Sequence, residues 1–211
     1  MSSSTPHQWS IYPHTVLAFR PSKDWTKKPH ESRLTRVRDK YRREGIRRTV
    51  SAVLLIHQHG HPHVIFFLHE QTQTYHLPGG CLRPGESDKD GLQRKLGKCI
   101  SGAPCEVGEL LGVWWRPNFE ELMYPYLPAH ITRPKEQQKL YQVTLTNKCT
   151  FVLPAGHTMI AVSLTDLYDG TAKYGPLHAS IPSLISRFNF ICLVKQDEGG
   201  HLSQQHHQQQ T

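Results

Sequence analysis

The residues with the most chemical potential lie between Gly79 and Lys98. A Gly79-Gly80 pair precedes Glu86, Asp88 and Asp90 follow closely, and then come Arg94, Lys95 and Lys98. Carboxylates repeated on one helix face can hold Mg²⁺ or Mn²⁺, which bridges phosphate oxygens and activates water for attack on a diphosphate. Glu86 alone does not make a divalent site. Asp88 and Asp90 are near in sequence but lack the helical spacing that would place them on its face. No metal, cofactor or catalytic residue is therefore expected. His57, His59, His61 and His63 alternate, but across a Gly60/Pro62 break, and no cysteine partner accompanies them. They read as exposed, uncoordinated histidines. Cys99, on an expected helix, reads as buried filler rather than a nucleophile.

A second chemical resource is positive charge. The 211-residue chain carries a formal net charge of +8. Residues 20–48 hold twelve Lys/Arg against four acids, so this one segment accounts for the whole excess. A concentrated cationic segment binds phosphate polyanions by releasing their counterions, and nucleic acid is the leading partner class. A solvated helix face or an import signal is the plainer explanation of such a run.

Several elements must position these groups. Leu34, Val37 and Tyr41 recur at helical spacing within 31–44, with Ser32 or Pro29 able to open the helix and Gly45 to close it. Arg33, Arg36, Lys40 and Arg43 repeat that spacing one position earlier, giving a basic stripe beside the buried one. Two β-type runs, 48–58 and 64–69, flank a short Gly/Pro break and predict a hairpin. A loop at 77–80 leads to a polar helix at 86–100. Further strands are expected at 109–114, 139–146 and 157–164, a turn or short helix at 165–168 and a helix at 181–189, with a Pro- and aromatic-rich stretch at 115–135. Strands interleaved with helices place the chain in the α+β or α/β class.

Length and composition fit one core with extensions: an arm at 1–19, the basic segment with its helix at 20–48, a domain at 49–193, and a disordered Gln/His-rich tail at 194–211. Hydrophobic residues make up 37% of the chain, too many for full disorder. The longest apolar runs, 52–56 and 65–68, are far short of the ~20 residues of a spanning helix. No membrane association and no secretory leader are expected. Five cysteines without C-x-x-C spacing read as reduced intracellular thiols.

Gly80-x5-Glu86-x7-Arg94 resembles the start of a Nudix box, whose pattern continues with a Glu, then a Glu-Glu pair, then Gly. Here those positions are Lys95, Lys98-Cys99 and Ser101. At ~4 Å and an effective dielectric near 20, each opposed charge pair is worth about 4 kcal/mol before screening, so a lysine in place of an acid repels a divalent ion. The resemblance implies a Nudix-type α/β/α sandwich with a mixed β-sheet and an N-terminal helical extension, without Nudix hydrolysis.

The chain as a whole is similar to the Nudix-fold small subunits of pre-mRNA cleavage factor I. Ser10-Ile11-Tyr12-Pro13, Gly45-Ile46-Arg47-Arg48-Thr49-Val50, Leu77-Pro78-Gly79-Gly80, Trp114-Trp115-Arg116-Pro117-Asn118-Phe119-Glu120, the thirteen residues 124–136, and Ser186-Arg187-Phe188-Asn189-Phe190-Ile191 carry the likeness. It implies an inert homodimer in the nucleus that binds single-stranded UGUA-type pre-mRNA and a larger, RRM-containing subunit in 3′-end cleavage and polyadenylation. Carried over position by position, RNA-binding residues are Arg33, Ser51, Tyr75, Leu77, Tyr174 and Gly175. Ser51 stands where the family has a base-reading Glu, and Thr74-Tyr75 where it has two Phe, so one stacking ring is kept. Tyr124 and Tyr126 match the surface for the larger subunit. Two other readings compete: a Nudix hydrolase of nucleoside diphosphate-linked substrates using Glu86, Asp88 and Asp90 as unorthodox ligands, and an interaction module without RNA specificity.

Overall fold

The run Val50 to Ile56 is buried at every position, as expected for a strand covered on both faces and central to its sheet. A computed structural model of the chain describes residues 7–21, 33–101, 105–120, 122–145, 149–153 and 155–193, without the side chains of 19, 21, 33 and 34. In chain order the elements are β1 (His7–Pro13), β2 (Ala18–Pro21), α1 (Arg33–Glu44), β3 (Arg47–Gln58), β4 (His61–His69), β5 (Thr74–His76), β6 (Gly79–Cys81), α2 (Asp88–Cys99), β7 (Ile100–Ser101) and β8 (Glu106–Arg116). There follow β9 (Glu136–Thr144), β10 (Thr150–Leu153), β11 (His157–Ser163), α3 (Leu164–Asp169), α4 (Thr171–Tyr174), α5 (Pro176–Ala179), α6 (Ile181–Ile185) and β12 (Phe188–Cys192).

β3 is long enough to serve two sets of partners. Its first half runs parallel to β9, from Arg47 opposite Glu136 to Leu54 opposite Val143, and Thr49 to Ser51 also pair with β6. Its second half forms the expected hairpin with β4 and pairs in parallel with β1 through Tyr12 and Pro13. The hairpin turn is made by His59 and Gly60, both at positive φ (51° and 81°), the conformation that two-residue hairpins need. β11 and β5 extend the sheet from β4, β8 from β9, and β12 from β1. A second, small sheet, β2-β10-β7, adds Ile100, Phe151 and Leu153 to the core beneath α2.

Side-chain alternation on β3 builds two cores. Val50, Ala52, Leu54 and Ile56 pack with Leu92 and Leu96 of α2. Val53 and Leu55 pack on the other side with Leu167, Ile181 and Ile185 of the C-terminal helices. Helices thus cover both faces of a mixed sheet, the α/β/α arrangement expected from the sequence.

Some elements depart from the sequence expectations. The helix expected at 181–189 stops at Ile185, and Phe188–Cys192 becomes a strand parallel to β1. Phe188 packs edge-on to Trp9 with ring centroids 5.4 Å apart. The stretch read as an arm therefore contributes β1, with Trp9 and Ile11 in the core. In α1, Val37 and Tyr41 are half-buried while Arg36, Arg38, Arg42 and Arg43 are exposed, and Gly45 follows at φ 76°. The tail at 194–211, expected to be disordered, lies outside the described residues. Among the described residues no helix is long and apolar enough to cross a membrane.

Candidate functional site

The strand register gathers a set of polar side chains on one face of the sheet. Arg47, Thr49 and Ser51 of β3 alternate onto the same face, and the parallel pairing sets Glu136 and Gln138 of β9 beside them. The β8–β9 pairing brings Trp114 and Arg116 alongside. Glu136 is the hub of this floor. Its carboxylate accepts from Thr49 Oγ1 at 2.8 Å and pairs with Arg116 Nε at 3.0 Å and Arg47 Nε at 3.3 Å. Ser51, almost wholly buried, accepts from Gln138 Nε2 at 3.1 Å.

Above this floor the chain closes a cleft of about 480 Å³. Its walls come from His76, Leu77, Gly79 and Gly80 on one side and residues 174–178 on the other, with Leu122 and Met123 at its edge. The α4–α5 junction is shaped by Gly175, whose φ of 84° turns the chain between two short helices. Tyr174 stacks on Phe66 at 6.3 Å and meets Tyr75 edge-to-face at 4.7 Å. The Lys173 ammonium lies 5.0 Å from the Tyr174 ring centroid and 5.9 Å from that of Tyr75. This is an aromatic wall with a cation over it, beside a floor rich in fixed donors.

Ser51, Leu77, Tyr174 and Gly175, singled out from the sequence, all line this cleft, and Tyr75 touches it through Tyr174. The side chain of Arg33 lies outside the described residues, although its backbone begins α1. Tyr124 and Tyr126 sit away from the cleft floor with rings 5.8 Å apart, and Tyr124 bridges to Trp115. Tyr126 is 58% exposed. Sequence reasoning did not identify Trp114, Arg116, Glu136, Gln138, His76 or His178 as cleft residues. A signal for the floor existed in the 47/49/51 alternation, but its partners are set by a pairing across 87 positions.

The opposite face of β3 holds the carboxylates of the box. Glu86 is gripped by Arg94 through two bonds of 2.6 Å and accepts a third from the Arg83 backbone N–H at 2.8 Å. The Arg94 hydrogen bond, then that of Arg83, bring its carboxyl down to about 2 from an ordinary 4.5. Asp88 accepts from Arg48, from Lys139 Nζ at 2.5 Å and from Tyr141 Oη at 3.0 Å. Burial pushes its carboxyl up, but these bonds from Lys139, Arg48 and Tyr141 outweigh it and hold the group ionised. Asp90 accepts from Ser87 Oγ at 2.6 Å at the start of α2. Lys95 reaches back over the loop, its Nζ 3.3 Å from where a Cβ on Gly80 would lie, and burial favours its neutral form. Each of the three acids thus already has a partner within the protein.

Of the histidines expected to be exposed, His57 and His63 are half-buried, because they lie on the paired strands β3 and β4. His57 Nε2 lies 2.8 Å from the Leu193 carbonyl, and His63 Nδ1 is 2.9 Å from that of His61. Cys99 donates to the Lys95 carbonyl at 3.4 Å, and burial pushes its thiol up to about 11, well away from a reactive thiolate.

Known proteins resemble this chain over most of its length. The Nudix family model described as a nucleotide hydrolase matches residues 7–188, from β1 into β12. A Dictyostelium discoideum protein named cleavage and polyadenylation specificity factor subunit 5 is 46% identical over 77% of this chain and 84% of its own. Two Arabidopsis thaliana proteins, named pre-mRNA cleavage factor Im 25 kDa subunits 2 and 1, are 44% and 45% identical over 75% of this chain, covering 82% and 73% of theirs. With its floor, aromatic wall and box on one mixed sheet, the chain belongs to the Nudix family and, within it, to the 25 kDa subunits of pre-mRNA cleavage factor Im.

Proposed function

We propose that this chain is a non-catalytic RNA-binding scaffold of the pre-mRNA 3′-end cleavage and polyadenylation machinery. It takes single-stranded, UGUA-type RNA into the cleft between the β3–β9–β8 floor and the α4–α5 junction. The observation that carries the reading is the convergence of Ser51, Leu77, Tyr174 and Gly175 on one cleft, with Tyr75 against its wall. Unstacked bases are recognised by aromatic platforms and by hydrogen bonds to their edges, and this wall and floor offer both. Arg47 and Arg116 supply fixed donors, while the exposed arginines of α1 suit the phosphate backbone. A nuclear location, a homodimeric state and a larger RRM-containing partner held at Tyr124 and Tyr126 complete the proposal.

Binding titrations of the full chain with labelled UGUA-containing RNA and a scrambled control, at one fixed salt concentration, test it. Tighter binding of the UGUA strand supports the reading, and equal affinity overturns its sequence preference.

The same proposal treats the box as inert. A hydrolase would need Glu86 to exchange two Arg94 bonds for a cation, and Asp88 to release three donors. Incubation with Mg²⁺ or Mn²⁺ and a dinucleoside polyphosphate is expected to give no turnover. Turnover abolished by Glu86→Gln would establish the hydrolase instead.

A further inference from the structure

His178 lines the cleft but takes no part in the reading above. Its ring is held in place by its surroundings. Nδ1 lies 2.7 Å from the backbone carbonyl of Tyr174, and the ring stands edge-on to Phe66 at 5.1 Å, the same Phe66 on which Tyr174 stacks. A carbonyl only accepts, so Nδ1 carries the hydrogen, and in the neutral ring Nε2 is a lone-pair acceptor. Burial opposes protonation most, the Tyr174 carbonyl offsets it in part, and the nearby His76 adds to the opposition.

Much of the charged and hydroxyl acceptor capacity of this floor is already in use. Arg47 and Arg116 are donors only, Glu136 is occupied by both of them and by Thr49, and Ser51 already accepts from Gln138. A base edge that presents an N–H needs an acceptor to avoid being buried unpaired. An imino N–H is a single donor in the plane of the ring, which suits one planar lone pair held at a fixed angle.

We propose that His178 Nε2 is the acceptor for an imino N–H of an RNA base, uracil or guanine, and so a specificity-determining residue of the cleft. This rests on the RNA-binding reading. In that reading His178 supplies a planar lone pair in addition to the hydroxyl of Ser51, which already accepts from Gln138.

The test pairs protein variants with modified RNA. The full chain and His178→Phe, which keeps an aromatic ring against Phe66, are titrated at fixed salt with labelled UGUA RNA. The same titrations use RNA carrying N3-methyluridine at either U or N1-methylguanosine at G. For the wild type, one methyl group is expected to weaken binding by about fivefold. His178→Phe should weaken binding of unmodified RNA by about the same factor and be indifferent to that methyl group. His178→Gln, which restores an acceptor, should recover part of the loss. If the wild type prefers UGUA but His178→Phe leaves affinity and the methyl penalty unchanged, this inference falls and the RNA-binding reading stands. If the wild type binds no RNA, both fall. The methyl scan on the wild type needs no variant to fold: three insensitive positions overturn the proposal.

Discussion

The two faces of β3 are built from neighbouring residues and do opposite things with charge. On the α2 face, Arg48, Lys139 and Tyr141 converge on Asp88, and Arg94 closes on Glu86, so charge is neutralised locally. On the cleft face, one position away along each strand, Glu136 is shared between two arginines, leaving a surplus of guanidinium donors beside an aromatic wall. A paired carboxylate stabilises its own fold, whereas a donor in excess of its partners is available to a ligand. Strand alternation therefore lets one sheet hold the paired charges of the box on one side and, in the function proposed above, an RNA cleft on the other.

That contrast can be broken from either side. The largest expected effect is on the scaffold face. Leu92, fully buried against β3, should cost about 3 kcal/mol of stability as Leu92→Ala, read from urea unfolding. RNA affinity per folded molecule should hardly change. Next is the recognition face. Tyr75→Ala removes a ring that packs on Tyr174, and RNA affinity should fall about tenfold, consistent with ~1–3 kcal/mol per stacked base. Its unfolding midpoint should move far less than that of Leu92→Ala; the reverse ranking would dissolve the division between faces.

The smallest effect sharpens the comparison through pH. Glu86 has a folded value near 2, below its ordinary 4.5, so its contribution is full above about 4.5 and is lost as pH falls towards 2. Unfolding midpoints measured from pH 6 to pH 2 should show Glu86→Gln less stable than the wild type at the upper end. The two curves should converge at the lower end. Parallel curves would mean that the Arg94 grip contributes nothing to the fold.

Much of the scaffold was readable in the chain because it is local. The 50–56 run, the hairpin break near Gly60 and the helix that follows Glu86 each announce themselves within a few residues. β12 was hidden because Phe188–Cys192 closely follows a helix and its partner is the distant β1, from His7 opposite Phe188 to Ile11 opposite Cys192. The cleft was legible in part. Ser51, Leu77, Tyr174 and Gly175 were found through resemblance, whereas Glu136, Gln138 and Trp114 join them only through the β3–β9–β8 register. His178 could not be read at all from its neighbours in sequence, since its meaning comes from a carbonyl one turn back and a ring on β4.

Gly79 sets a boundary for anyone wishing to retarget this cleft. At φ 146°, a Cβ there would stand 2.2 Å from the Val50 carbonyl oxygen, so β6 lies directly against the backbone of β3. A mutant library aimed at new RNA sequences can vary positions 49, 51, 138 and 178 without reaching the α2 side. Randomising position 79 would instead fill the library with misfolded members, because any side chain there prises apart the strands on which both faces depend.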